Sequence, residues 1–195
     1  MPKDSPYQTM ADLVAAFQAD PQSIAWAGGS AGGTDHILVG QIAKTVGVAP
    51  EGINYIAYSG GGEAAASILG GQVAAGVSGI GEWAEFIASG EMRALAVSSA
   101  DRLAALPDVP TLAESGVDVV LLNWRGVVGP PDMSDEDKAW WIEALTRTVN
   151  SAEWQEILTT NGWDNVFQTG DEFGATLAED DAVIGEVLKE IGLVQ

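Results

Sequence analysis

Apolar residues recur along this chain in two rhythms, and the alternation between them sets out the elements. Met10, Leu13, Val14 and Phe17 keep helical spacing, so 7–19 is expected to be a helix that Asp20-Pro21 stops. Ile24–Ala27 is a short apolar run of strand type, and Gly28-Gly29-Ser30-Ala31-Gly32-Gly33 follows it. Ile37, Leu38 and Ile42 then form the stripe of a helix from Thr34 to about Val46. Thr34 or Asp35 is its expected N-cap, and Gly47 closes it. The pattern repeats as strand Ile53–Tyr58, loop Ser59–Gly62 and helix Glu63–Leu69. It repeats again as strand Val73–Ser78, loop Gly79-Ile80-Gly81 and helix Glu82–Ala88. Three consecutive strand–loop–helix units indicate an α/β fold with a parallel sheet and helices on its faces. In such a sheet all three loops lie beyond the carboxyl ends of the strands, where ligands bind.

The second half reads differently. Met92–Ser98 is expected to be a strand, 101–110 to be turn-rich, and Thr111–Ser115 to be a short capped helix. Val117–Val128 is one long extended run; at about 3.3 Å per residue it would reach about 40 Å, twice a common strand. A strand of that length suits a passage from one domain to another, with Asn123–Arg125 at the crossing. Three helices follow, starting at Ser134, Ser151 and Asp171, with one short strand, Trp163–Phe167, among them. The expected organisation is therefore 1–122 as a complete α/β ligand-binding domain. Residues 123–195 are then the helical C-terminal portion of a domain whose main sheet is absent from this chain.

Charge narrows the partners. The formal charge is −20, from 28 acidic and 8 basic residues, which argues against nucleic acid and against anionic membrane surfaces. Such a surface also suits a high-salt environment, where screening removes self-repulsion. No apolar run approaches the roughly 18–20 residues that span a bilayer. With no cysteine, thiolate chemistry is excluded.

The loop Gly28–Gly33 joins a strand to a helix start, so unpaired N–H groups and the positive end of the helix dipole converge there. That is an anion site needing no lysine or arginine. Ser30 is a hydroxyl donor to such an anion. Gly28-Gly29-Ser30-Ala31-Gly32 also fits the G-x-S-x-G turn of α/β serine hydrolases, which is the alternative reading. The only histidine, His36, comes in the wrong chain order for a triad, and a hydrogen bond inside the loop is its expected role. Gly28…Gly33-Thr34 lacks the lysine of a P-loop, and Gly60-x-Gly62-x-x-Ala65 is only a bare match to the dinucleotide fingerprint. No cofactor and no metal site are expected. Trp124 and Arg125 read either as a packing aromatic beside a solvated arginine, or as a site in which Arg125 offers a ligand carboxylate a bidentate partner.

Several motifs resemble the solute-binding proteins of the tripartite tricarboxylate transporters. They are Trp26-Ala27 through Thr34-x-His36, Tyr58-Ser59-Gly60-Gly61, Gly70-Gly71-Gln72-Val73, Arg93–Ser99, Leu106-Pro107-Asp108-Val109-Pro110-Thr111 and Glu114-Ser115-Gly116. The resemblance implies a periplasmic-binding-protein type II (Venus flytrap) fold, here one complete parallel-sheet domain plus the C-terminal part of the other. It implies a periplasmic or extracellular location, no catalytic role, capture of a small citrate- or succinate-like carboxylate, and membrane permease subunits as partners. Carried over by position, the site comprises Ser30, Ala31, Gly32, Gly33 and Thr34, then Tyr58, Ser59, Gly60 and Gly61, then Ser78 and Gly79, with Trp124 on the hinge side. Tyr58 is expected to fix its loop. Members of the family begin with a signal peptide and further residues that supply one cleft wall. Lacking that wall, this chain is expected to bind weakly or not at all, and to self-associate through uncovered helix faces. Amino-acid-binding members are expected to carry an aspartate where this chain has Ser78, which favours a plain di- or tricarboxylate here.

Overall fold

The computed structural model describes residues 1–194. The chain divides into two compact units, Met1–Asn123 with Ile184–Gln195, and Trp124–Val183. The boundary follows just after the expected 1–122 span, and the last turns of the final helix group with the first unit.

The first unit is built on a three-stranded parallel sheet in the order β2-β1-β3, with β1 Ala25–Gly28, β2 Asn54–Ala57 and β3 Ala75–Gly76. Gly28 stands opposite Ala57, and Ala27 opposite Gly76, so the three strands end at one edge. Four helices flank the sheet: α1 Met10–Ala19, α2 Thr34–Thr45, α3 Gly61–Leu69 and α4 Ile80–Ala88. Side chains alternate along β1, and the core divides with them. Trp26 joins Leu13, Phe17, Leu38, Val39 and Ile42 from α1 and α2. Ala27 joins Ala64, Ala65, Ile68 and Trp83 from α3 and α4. This is the parallel sheet with helices on its faces that the repeating pattern predicts. Gly76 keeps the second layer close: a Cβ there would lie 2.5 Å from Ile68 Cδ1 and 2.8 Å from Trp83 Cη2.

The end of the chain completes this unit. A Cβ on Gly40 of α2 would come 2.7 Å from Val187 Cγ1, and Lys44 pairs with Glu190 at 2.9 Å.

The second unit holds α5 Asp135–Val149, α6 Ala152–Asn161 and most of α7 Gly170–Glu190. Ser134 caps α5 and Ser151 caps α6, each hydroxyl accepting an N–H two to three residues into its helix. Both helices start where the sequence reading places them. Trp140, Trp141, Trp163 and Val166 are exposed, and Leu158 is the one buried side chain of this unit among the described residues.

Four elements expected from sequence are not formed. Met92–Ser98 runs extended but makes only isolated bridges, Met92 to Pro2 and Val97 to Thr111. Val117–Val128 forms no strand; Leu121 is tied to Ser98 by a 2.9 Å backbone bond, while Val127 and Val128 are exposed. Trp163–Phe167 has no ladder partner among the described residues of its unit. In all three the apolar run is present, but a strand exists only where a neighbour accepts its backbone. Thr111–Ser115 closes as turns. Thr111 and Glu114 exchange the reciprocal bonds of a capping box, and Gly116 at φ +85° then ends the segment before a helix can develop.

Candidate functional site: three glycine-started helices on one sheet edge

Each strand of the first unit feeds a helix through a loop that ends in glycine. The N-caps of α2, α3 and α4 are Gly33, Gly60 and Gly79, and none makes a side-chain cap hydrogen bond. The sequence reading gave α2 a cap from Thr34 or Asp35; instead both lie inside the helix. Asp35 turns back so that its Oδ2 accepts the Gly29 N–H at 2.7 Å. Uncapped helix starts leave backbone donors open. Among the described residues, the N–H groups of Ser30, Ala31 and Thr34 make no hydrogen bond within the protein. The same is true of Gly60 and Gly62 in the second loop, and of Ser78, Gly79 and Ile80 in the third.

The first loop is a turn in which the Gly33 N–H donates to Ser30 O at 2.9 Å. Gly32 takes φ +78°, which a side chain would resist, and its N–H donates to His36 Nδ1 at 3.2 Å. His36 thus makes the bond within the loop expected of it, and its ring stacks on Tyr55 at 4.1 Å. Burial lowers the His36 pKa, favouring the neutral ring that accepts this bond. The Tyr55 hydroxyl donates to Gly29 O at 2.9 Å, so β2 braces the first loop. Burial pushes the phenol pKa well up, and the Asp35 charge adds to that. For Asp35 itself burial raises the pKa, the Gly29 N–H opposes this, and the Glu82 charge reinforces it. Nothing in this arrangement activates Ser30 as a nucleophile, because the ring nitrogen of the only histidine facing the loop is taken by a backbone donor.

In the second loop the Tyr58 hydroxyl is hydrogen-bonded to Ser67 Oγ of α3 at 2.5 Å, which fixes the loop to the helix it starts. The Ser59 N–H donates to Glu63 Oε2 at 3.2 Å; hydrogen bonding to the Ser59 side chain, and then to this N–H, lowers the Glu63 pKa. Gly61 is gripped by two successive residues of α4. Its N–H donates to Glu82 Oε1 at 3.3 Å, and its carbonyl accepts from Trp83 Nε1 at 2.9 Å. In the third loop the Ser78 hydroxyl also donates to Glu82.

The structure therefore gathers Ser30, Ala31, Gly32, Gly33, Thr34, Tyr58, Ser59, Gly60, Gly61, Ser78 and Gly79 along the carboxyl edge of one sheet. Trp124 and Arg125 belong to the second unit. There Trp124 Nε1 donates to Asp180 Oδ2 at 2.7 Å, its ring meets Phe173 edge-on at 5.5 Å, and the Arg125 guanidinium lies 5.4 Å from the Trp163 ring centre. Sequence reasoning missed Asp35, Glu63 and Glu82, the three carboxylates that return to the loops. The available signal was one acidic residue in the first turn after each glycine cap. Among the described residues no group of His, Asp or Glu has the arrangement of a metal site, and no helix is long and apolar enough to cross a membrane.

Residues 1–193 match the tripartite tricarboxylate transporter family receptor, and the chain belongs to this family. It is 31% identical over 181 residues to protein BugT of Bordetella pertussis, covering 92% of this chain and 55% of that protein. A TctC solute-binding protein from Polaromonas superposes with a TM-score of 0.83 at 26% identity, covering 97% of this chain and 64% of its own. An R. palustris protein solved with adipate superposes with a TM-score of 0.80 at 22% identity, over 98% of this chain and 63% of its own. The fold is that of the periplasmic binding proteins, and the family is one of solute-binding receptors rather than enzymes. The chain spans little more than half the length of the curated relative and less than two thirds of the solved ones.

Proposed function

We propose that this chain is the ligand-holding part of a periplasmic receptor that captures a small di- or tricarboxylate for a tripartite tricarboxylate-type membrane transporter. The observation that carries the reading is the set of three uncapped helix starts, Gly33, Gly60 and Gly79, opening at one sheet edge. Backbone donors at such positions bind carboxylate oxygens without basic side chains. That suits a rim where Lys44 is the sole lysine or arginine between Gly28 and Glu91, and it is engaged by Glu186 and Glu190. The Ser30 hydroxyl adds a donor in the first loop, and Tyr58 fixes the second. The neighbour solved with adipate supports a dicarboxylate as the ligand class. The second unit, which carries Trp124 and Arg125, is read as the C-terminal part of another domain of the receptor. Its exposed Trp140, Trp141 and Trp163 are consistent with a face that the rest of that domain covers.

The test is a titration of isotopically labelled protein with adipate, succinate and citrate, followed at the backbone amides. Selective shifts at Ser30–Thr34, Ser59–Gly61 and Ser78-Gly79 are expected, even if binding is only millimolar. Ser30→Ala should cost roughly 1–2 kcal/mol of binding. Shifts absent from all three loops at saturating ligand would overturn the reading.

A further inference from the structure

The three rim carboxylates are not equivalent. Asp35 and Glu63 each accept an N–H from the loop that starts their own helix, as a self-made cap. Glu82 differs, because it reaches from α4 to the Gly61 N–H at the start of α3 and also receives the Ser78 hydroxyl. It thereby joins the second loop to the third. The fit is close: a Cβ on Gly61 would lie 2.5 Å from the Glu82 carboxyl carbon, so only glycine admits the carboxylate there. The neighbouring Trp83 holds the Gly61 carbonyl from the buried side, which keeps the Gly61 N–H aimed at this spot.

We propose that Glu82 is a built-in competitor for the ligand, an internal carboxylate seated on donors that the receptor reading assigns to the captured acid. This inference rests on that reading. Charge-assisted bonds from an N–H and a hydroxyl satisfy one carboxylate, and two carboxylates cannot share them. A ligand acid must therefore exchange with Glu82. The displaced charge gains no lysine or arginine from the surrounding sequence, since Lys44 is already paired. Affinity is thus set by the difference between two similar acids. A weakly held anion fails to make the exchange, so Glu82 acts as a selectivity residue of the rim.

The experiment compares the full chain with Glu82→Ala and Glu82→Gln, titrated with adipate and, separately, with acetate. Binding is read at the amides of Gly61, Ser78 and the first loop. With adipate bound, the Gly61 amide should take the same position in the wild type as in Glu82→Ala, because the ligand acid has replaced Glu82 on that donor. Glu82→Ala should bind adipate about tenfold more tightly and should acquire acetate binding. Glu82→Gln, which keeps the shape and an acceptor oxygen but no charge, should fall between. Adipate affinity unchanged or weakened in both variants, with the wild type still binding at the first loop, would overturn the competitor role while leaving the receptor reading intact. No loop shifts with adipate in any of the three proteins would overturn both.

Discussion

Helix starts at the sheet edge and helix starts elsewhere in the molecule are built by opposite rules. In the second unit, α5 and α6 begin on serines whose hydroxyls close the first turn, and α1 of the first unit begins on a Thr9–Asp12 capping box. The three helices that face the sheet edge begin on glycines and leave donors open. Relative to a hydroxyl cap, a glycine cap gives up a few tenths of a kcal/mol, which the rim forgoes three times. The stabilisation that carries this loss lies below the rim, where two buried layers clasp the sheet; the second unit has no core of comparable size among the described residues. A helix start can be optimised for its own stability or kept open for a guest, and this molecule does each in a different place.

Changes of decreasing size test that contrast. Phe17 is fully buried against Trp26, with ring centres 5.4 Å apart, so Phe17→Ala should cost about 3–5 kcal/mol in urea unfolding of the first unit. A loss below about 1 kcal/mol would mean that this layer does not hold the sheet. Ser134→Ala or Ser151→Ala should each cost about 1 kcal/mol, with the change confined to amide exchange in α5 or α6. Inserting the missing caps is the more pointed test. A Cβ at Gly60 or Gly79 meets nothing within 4 Å, and both backbones are extended. Gly60→Ser and Gly79→Ser should therefore raise stability by a few tenths of a kcal/mol while weakening adipate binding. Serines that stabilise without affecting the ligand would break the link between open caps and function.

The smallest effect is electrostatic. Burial raises the Asp35 pKa in the folded protein, so between the ordinary carboxylate value and the raised one the folded state holds a proton that the unfolded chain has lost. Stability contributed by this group is therefore greatest at low pH and falls as pH rises through that window. In Asp35→Asn the amide oxygen keeps the bond to Gly29, and this component of the pH slope should vanish from urea unfolding measured across the window.

What the sequence disclosed follows from how local each cause is. The strand–glycine–helix units were legible because periodicity changes sharply at Gly28, Ser59 and Gly79, and because Gly47 and Asp20-Pro21 punctuate their helices locally. The extended runs 92–98, 117–128 and 163–167 misled because apolarity reports burial or exposure only once a neighbour is known. Val127 and Trp163 fall in segments expected to be extended and stand exposed outside any strand. The rim carboxylates escaped because an acid in a helix's first turn has a generic explanation in the dipole. Only coordinates reveal that Glu82 crosses to Gly61 while Glu63 stays with its own helix. The membership of α7 in both units was likewise invisible, since Asp180-Asp181, the one polar interruption of its apolar stripe, does not break the helix.

The contact between the chain's tail and Gly40 bears on the order of assembly. The first glycine loop and α2 leave the ribosome well before the last turns of α7, yet their neighbours include Val187 and Ile191 beside Gly40 and Leu188 and Leu193 beside Gly32. A nascent chain can pair β1 with β2 and β3 early, but it cannot finish the cradle until the end of α7 has emerged. Premature termination should thus yield a protein with an intact sheet and an unfinished first loop.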